Sequence, residues 1–201
     1  MGVVIISGGI GSGKSTVCKL LESEYGWPVY DADSRVKAIY DDMPSVLLSI
    51  EDSLNEKFRD DEGMFSPSML ASRIFSDEDA LVKVEDIVFP VLTEDFIRWK
   101  NEHDDKRWLV LESATILEKE NLVGLGDVVV VIDAPLEIRL QRAAERDGVS
   151  RESVSSRASN QKLMNKISSG EIPSCVNHVV MNDADMEKLR ENVRELVEKL
   201  A

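Results

Sequence analysis

Residues 8–15 of the chain read Gly8-Gly9-Ile10-Gly11-Ser12-Gly13-Lys14-Ser15. This segment fits the pattern G-x-x-x-x-G-K-[ST], and it stands between an apolar run, Val3 to Ser7, and a helix-like segment, Lys14 to Tyr25. Its glycines allow successive backbone N–H groups to converge on one point, toward which the following helix directs its positive end. The segment therefore predicts a phosphate-binding loop (P-loop), and a glycine-rich turn without a ligand is the alternative interpretation.

Two side chains of the loop indicate what it binds. Lys14 is expected to reach the β- and γ-phosphates of a nucleotide, and the Ser15 hydroxyl is expected to be a ligand of Mg²⁺. The sequence contains no N-K-x-D guanine-reading motif, so we expect ATP as the nucleotide and Mg²⁺ as the cofactor. The loop residues predicted to contact ATP are Gly9, Gly11, Ser12, Gly13, Lys14, Ser15 and Thr16.

Short apolar runs alternate with helix-like segments along the chain, which is typical of a parallel α/β sheet. The expected fold class is α/β: a three-layer fold of the P-loop NTPase type, with a five-stranded parallel sheet in the order 2-3-1-4-5. Residues 1–201 would form a single P-loop kinase domain. The predicted strands are Val3 to Ser7, Pro28 to Tyr30, Trp108 to Glu112, Val128 to Ile132 and His178 to Met181.

The longest connection lies between the second and third predicted strands. It has roughly 75 polar, acidic and helix-like residues, too many for an ordinary crossover. Pro67 follows Ser66 at the expected start of one of its helices. We therefore predict a helical insertion over residues 38–105. At the C-terminus, apolar residues at helical spacing from Met186 to Leu200 predict an amphipathic helix that packs on the sheet.

A basic segment follows the fourth predicted strand. Seven basic residues stand against three acidic ones from Arg139 to Lys166, a local charge of +4 in a chain of net charge −14. Helices are expected from Pro135 to Arg146 and from Arg151 to Ile167. Arg142 and Arg146 share one helical face, and guanidinium groups bind phosphate in a bidentate way. We predict that residues 136–168 form a mobile lid over ATP, and a solvated helix face is the alternative.

Asp31-Ala32-Asp33 follows the second predicted strand. Ligands of open parallel α/β sheets collect at the carboxyl ends of the strands, where a carboxylate can orient a substrate hydroxyl toward the γ-phosphate. Asp33 is therefore the candidate catalytic carboxylate, and Asp31 a candidate substrate contact. Alternatively, one of the two aspartates caps a helix that begins near Ser34.

Composition and charge exclude several classes of function. A net charge of −14 does not fit a nucleic-acid-binding protein, which needs a broad basic surface. The apolar runs are far shorter than the roughly 20 residues of a membrane helix, and the first residues resemble no signal peptide. We therefore expect a cytoplasmic protein that binds neither nucleic acid nor membrane; the sequence indicates no oligomeric state. Cys18 and Cys175 have no metal-like or redox-like spacing and are expected to be idle thiols.

With these residues in view, nearly the whole chain resembles the dephospho-coenzyme A kinases. The resemblance rests on blocks that recur in family order, at family-like spacing. They are Gly8 to Thr16, Asp31-Ala32-Asp33, Arg73-Ile74-Phe75, Pro90, Leu140-Gln141-Arg142 to Arg146-Asp147, and Arg157 to Gln161.

The resemblance implies that the ATP γ-phosphate is transferred to the ribose 3′-hydroxyl of dephospho-coenzyme A. It makes Asp33 the proposed base, and Lys14 and Arg142 phosphate-stabilising catalytic residues. It adds Arg146 and Asn182 to the ATP-binding residues, since the loop at Asn182 would border the adenine. The helical insertion would bind dephospho-coenzyme A, and the substrate contacts implied are Asp31, Asp33, Arg73, Phe75 and Pro90.

The chain departs from the family pattern at two places. It has Phe89-Pro90 where the family usually has His-Pro, and Ala114-Thr115-Ile116-Leu117-Glu118 where a proline-led P-L-L-x-E segment is common. Both departures concern the acceptor side. Two alternatives therefore remain at this point: another small P-loop kinase, acting on a nucleoside monophosphate or a metabolite, and an ATP-binding regulatory protein without transfer activity.

Overall fold

A computed structural model gives the fold and describes the side chains of residues 1–119 and 122–201. Five parallel strands form one sheet in the order β2-β3-β1-β4-β5. The predicted α/β fold and strand order are confirmed, and each strand begins and ends within one residue of the predicted limits. The strands are β1 (Gly2–Ser7), β2 (Val29–Asp31), β3 (Trp108–Glu112), β4 (Val128–Asp133) and β5 (His178–Met181).

Helices connect the strands and complete the chain. A short 3₁₀ helix, Ile116–Glu118, follows β3. The α-helices are α1 (Lys14–Tyr25), α2 (Ala32–Asp42), α3 (Pro44–Leu54), α4 (Pro67–Ser76), α5 (Glu78–Asn101), α6 (Glu120–Val123), α7 (Leu136–Asp147), α8 (Arg151–Ser159), α9 (Lys162–Ser168) and α10 (Met186–Leu200).

Strand β1 lies at the centre of the sheet. It pairs with β3 from Gly2 opposite Trp108 to Ile6 opposite Glu112, and with β4 on its other side. The four residues from Val3 to Ile6 have no exposed surface at all, which explains why the run is continuously apolar. The P-loop therefore leaves the sheet at the carboxyl end of its central strand.

Helices α1 and α10 pack against one face of the sheet. Their buried positions form one hydrophobic cluster with alternate residues of the strands. Because Leu189, Val193 and Leu196 of α10 recur at helical spacing, all three reach this cluster. The expected packing of the C-terminal helix on the sheet is confirmed.

The chain divides into two compact units. One comprises residues 1–31 and 100–201 and contains the whole sheet. The other comprises residues 32–99, with α2, α3, α4 and most of α5. Within this second unit Arg35 makes a bidentate ion pair with the buried Asp95, at 2.7 and 3.0 Å. This pair links α2 to α5 and stabilises the unit.

The predicted helix from Arg151 to Ile167 is wrong in one respect, because it is two helices. Helix α8 ends at Ser159, and α9 begins at Lys162. The Asn165 amide donates to the Ala158 carbonyl (3.1 Å), which satisfies the end of α8 after the break. Over the described residues, no helix combines the length and the apolar character needed to cross a membrane.

Candidate phosphate-binding site

Three glycines of the loop, Gly8, Gly11 and Gly13, have positive φ angles and no space for a side chain. Gly11 has φ 73° and Gly13 has φ 96°, conformations that L-residues rarely adopt. A Cβ at Gly11 would clash with the backbone carbonyl of Arg139, and a Cβ at Gly13 would clash with the Asn182 amide. The backbone turn and the close approach of neighbouring groups both require glycine here.

Helix α1 begins directly after the loop, without a side-chain cap at Gly13 and without an acidic residue in its first turn. The N–H groups of a first helical turn have no partner within the helix, and they carry the positive end of its dipole. Lys14 donates from Nζ to the Gly8 carbonyl at 3.0 Å, so its ammonium lies back over the loop. The loop and the helix start thus collect hydrogen-bond donors suited to an anion.

A carboxylate lies beside the loop that sequence reasoning did not select. The Ser15 hydroxyl donates to Glu112 Oε1 at 2.9 Å. Glu112 is buried at the carboxyl end of β3, where it pairs in register with Asp31 at the end of β2. The signal in the sequence was a single charged residue closing an otherwise apolar strand, Trp108–Glu112.

Burial and the adjacent Glu112 carboxylate raise the pKa of the Cys18 thiol. The thiol therefore remains protonated at neutral pH and is a poor nucleophile. Cys18 is buried and Cys175 is exposed, and neither forms a disulfide.

Asn182 joins the last strand to the loop. Its side-chain amide donates to the Ser12 carbonyl at 2.8 Å, and its backbone N–H donates to the Asp133 carbonyl at 2.8 Å. Arg142 of α7 in turn donates to the Asn182 carbonyl, also at 2.8 Å. The structure thus brings Arg142 and Asn182 together with the P-loop residues, although they are far apart in the sequence.

Arg146 does not join this group. Its guanidinium is exposed and pairs with Asp147 at 2.7 and 3.2 Å, and Arg157 of α8 pairs with the same carboxylate at 2.9 Å. These two hydrogen-bonded cations lower the pKa of Asp147 to about 2. Asp147, at the end of α7, therefore links α7 to α8 through Arg157, and its neighbour Arg146 binds the same carboxylate.

Gln161 also belongs to the site, and sequence reasoning did not select it as a site residue. Its side-chain oxygen accepts a hydrogen bond from the Ile10 N–H at 2.8 Å. This contact spans 151 residues and fixes the loop against the break between α8 and α9. A lone glutamine gives no local signal for such a role.

Buried polar atoms without a partner collect at the loop. Among the described side chains they are Ser7 Oγ, Ser12 Oγ, and Nε and Nη1 of Arg139. Buried polar groups normally find hydrogen-bond partners, and exceptions mark strain or function. Their location at and beside one loop supports the prediction that this loop is a functional site.

The remaining predicted site residues are placed as follows. Asp31 is exposed at the end of β2, and Asp33 lies in the first turn of α2, since this helix begins at Ala32. Arg73 of α4 pairs with Glu56 at 2.8 Å and Asp77 at 2.6 Å. Phe75, on the same helix, is 88% exposed, and Pro90 lies exposed within α5.

The strongest chemical indication is therefore a donor-rich loop that suits a polyphosphate, with a serine hydroxyl and a carboxylate beside it. Anions bind at such helix starts through backbone N–H groups. Oxygen donors such as Ser15 and Glu112 are ligands that Mg²⁺ accepts.

Comparison with known proteins agrees with this geometry. A family model for dephospho-CoA kinase matches residues 2–188. The chain is 38% identical to a dephospho-CoA kinase of Porphyromonas gingivalis over 78% of this chain and 76% of that protein. It is 27% identical to one of Staphylococcus epidermidis over 98% and 94% of the two chains.

Solved structures show the same fold. A Thermus thermophilus protein is 27% identical and has a TM-score of 0.82, with 99% and 97% of the two chains covered. The dephospho-CoA kinase from Campylobacter jejuni, at 19% identity, has a TM-score of 0.65 and covers 98% and 96%. The family match and the P-loop geometry together lead to one conclusion: this chain belongs to the dephospho-CoA kinase family.

Proposed function

We propose that this protein transfers the γ-phosphate of ATP to the 3′-hydroxyl of the dephospho-CoA ribose, the last step of coenzyme A biosynthesis. The observation that carries the proposal is the P-loop, held by Asn182 and Arg142, in a chain of this family. Residues 1–201 act as a single kinase domain in the cytoplasm, without nucleic acid or membrane as partners.

ATP binds at the carboxyl end of β1. Backbone N–H groups of the loop and the first turn of α1 bind the phosphates, and the Lys14 ammonium moves from the Gly8 carbonyl to a phosphate oxygen. Arg142 and Arg146, in the lid of residues 136–168, stabilise charge on the transferred group, and Asn182 borders the nucleotide. The proposed ATP-binding residues are Gly9, Gly11, Ser12, Gly13, Lys14, Ser15, Thr16, Arg142, Arg146 and Asn182.

Mg²⁺ would be held by Ser15, with Glu112 beside it. The fit rests on their oxygen atoms, which lie 2.9 Å apart next to the loop, because Mg²⁺ favours hydroxyl, carboxylate and phosphate oxygens. When bound with ATP, the ion neutralises charge on the phosphates during transfer. Glu112 orients the Ser15 hydroxyl by accepting a hydrogen bond from it.

The acceptor binds through the helical segment 38–105, most of which lies in the 32–99 unit. Asp33 orients the attacking hydroxyl and takes its proton, at the start of α2 and two residues after β2. Asp31, Arg73, Phe75 and Pro90 are the further proposed contacts. The exposed ring of Phe75 offers an apolar surface. Arg73 would bind a phosphate by exchanging its ion pairs with Glu56 and Asp77.

The decisive test is product identification by mass spectrometry. The protein is incubated with ATP and a panel of dephospho-CoA, nucleoside monophosphates and hydroxylated metabolites such as shikimate, with and without Mg²⁺. We expect coenzyme A as the dominant product, formed only with Mg²⁺. Phosphate transfer to another compound of the panel would contradict dephospho-CoA as the acceptor. ATP binding without any transfer would favour a regulatory protein.

Asp33→Asn tests the proposed base. We expect turnover to fall about 100-fold or more with an unchanged ATP dissociation constant, since a positioned base contributes on that order. Asp41→Asn, an exposed change on the same helix α2, is the matched control and should leave turnover unchanged. Near-normal turnover of Asp33→Asn would remove Asp33 from the mechanism.

A further inference from the structure

Arg139 differs from the other basic residues of the segment 139–166. Arg139 is only 2% exposed to solvent, whereas the other six basic residues of this segment are half-buried or exposed. Its Nε and Nη1 atoms are buried and have no hydrogen-bond partner. Among the described residues, no carboxylate forms a salt bridge with it. A guanidinium is always charged, so this is a buried cation that no carboxylate among the described side chains neutralises by a salt bridge.

The position of Arg139 indicates which ligand could supply the missing negative charge. Its backbone carbonyl packs against Gly11, and its Nη1 atom packs against Gly9. The guanidinium therefore lies against the loop that cradles phosphate. The Gln161 oxygen also lies near Gly9, but it is neutral and accepts a hydrogen bond from the Ile10 N–H. It therefore does not supply a counter-charge for the guanidinium.

Burying a charged group without a partner is strongly unfavourable, and proteins tolerate it where function compensates the cost. We propose that Arg139 is an additional phosphate-binding determinant: the polyphosphate chain of ATP, seated in the loop, is the counter-charge of its buried guanidinium. This inference rests on the proposed binding of ATP to the P-loop. It deepens that function by adding a buried cation to the proposed phosphate contacts Lys14, Arg142 and Arg146, on the side of the loop that faces α7.

The inference predicts opposite changes in two measured quantities. In Arg139→Met the buried unpaired charge is gone, so the ligand-free protein should have an unchanged or higher Tm. The same variant should bind ATP and ADP about 10- to 100-fold more weakly, the effect of losing one charge-assisted hydrogen-bonding group. Adenosine, which has no phosphate, should bind both proteins equally. Arg139→Lys keeps the charge and should retain most of the affinity.

Isothermal titration calorimetry with ATP, ADP and adenosine, together with thermal unfolding, tests the inference. Arg194→Met is the matched control, because it removes an exposed arginine of α10 and should leave the ATP affinity within twofold of wild type. Weaker ATP binding by Arg139→Met, with adenosine unaffected and the Tm not lowered, would support the inference.

Three results would overturn it. Arg139→Met could bind ATP within twofold of wild type, or lose adenosine and ATP affinity alike, or fail to fold, and the last result would make Arg139 a structural support. Absence of ATP binding by the wild-type protein would remove the proposed function and this inference together. Normal wild-type binding with an unaffected Arg139→Met would remove the inference alone.

Discussion

Gly13 and Gly26 lie at the two ends of α1, and both have left-handed backbone, with φ 96° and 67°. They differ in their surroundings. A Cβ at Gly13 would clash with the Asn182 amide, whereas a Cβ at Gly26 would meet nothing within 4 Å. Substitutions at these two glycines therefore distinguish two effects. At Gly26 an alanine meets only the unfavourable backbone conformation, and at Gly13 it also meets the steric clash with Asn182.

We predict that Gly13→Ala abolishes detectable ATP binding, because the methyl group would displace Asn182 from the Ser12 carbonyl. Gly26→Ala should bind ATP normally and lose only about 1–2 kcal/mol of unfolding free energy, the cost of left-handed backbone for an L-residue. Calorimetric ATP titration and urea unfolding measure the two effects. ATP binding by Gly13→Ala with wild-type affinity would contradict the assigned geometry.

At the scale of elements, the connection between α7 and α8 depends on Asp147. This carboxylate pairs with Arg146 and Arg157, and these cations hold its pKa at about 2. A carboxyl whose pKa is lowered by folding contributes stability above its unfolded pKa and loses it as pH falls toward the folded value. The contribution of Asp147 should therefore be constant from about pH 5 to pH 9 and fade below about pH 4.

We predict that Asp147→Asn increases amide hydrogen exchange in residues 136–159, because the neutral side chain cannot pair with both arginines. The exchange of β1, β3 and β4 should not change, and the increase should be the same at pH 6 and pH 8. Hydrogen–deuterium exchange with mass spectrometry measures this. Glu145→Gln, an exposed neighbour on α7, is the control, and equal exchange in Asp147→Asn and wild type would refute the role of this carboxylate.

The elements were predictable where the signal is local. The continuous apolar runs gave β1, β3 and β5 within a residue, and Ser66-Pro67 marked the start of α4. The break between α8 and α9 was not predictable from local pattern, because it accompanies a contact from Gln161 to Ile10 across 151 residues. The burial of Arg139 was equally hidden, since an arginine within a basic segment has the same sequence pattern whether it faces solvent or the loop.

At the scale of the whole molecule, charge acts in two opposite ways. The net charge of −14 makes the chain repel itself, while residues 139–166 carry a local +4 near the phosphate loop. At 0.1 M ionic strength, dissolved salt largely screens interactions between exposed charges that lie more than about 10 Å apart.

We predict that raising NaCl from about 20 to about 200 mM raises the Tm of the ligand-free protein, because self-repulsion is screened. The same change should weaken ATP binding, because the attraction between phosphate and the basic segment is screened as well. Differential scanning calorimetry and ATP titration at the two salt concentrations measure the two trends. A Tm that falls with added salt would show that net repulsion does not limit stability.

The pairing of β1 with β3 has a consequence for synthesis on the ribosome. Gly2 pairs with Trp108 of β3, so roughly 100 further residues must be synthesised before β1 has a strand to pair with. At about 5–20 residues per second this delay is roughly 5–20 s. During that time Val3 to Ile6, which have no exposed surface in the finished protein, remain unpaired on the nascent chain. During synthesis there is therefore an interval in which a continuously apolar segment must be shielded from water by chaperones or by the helices of the same chain.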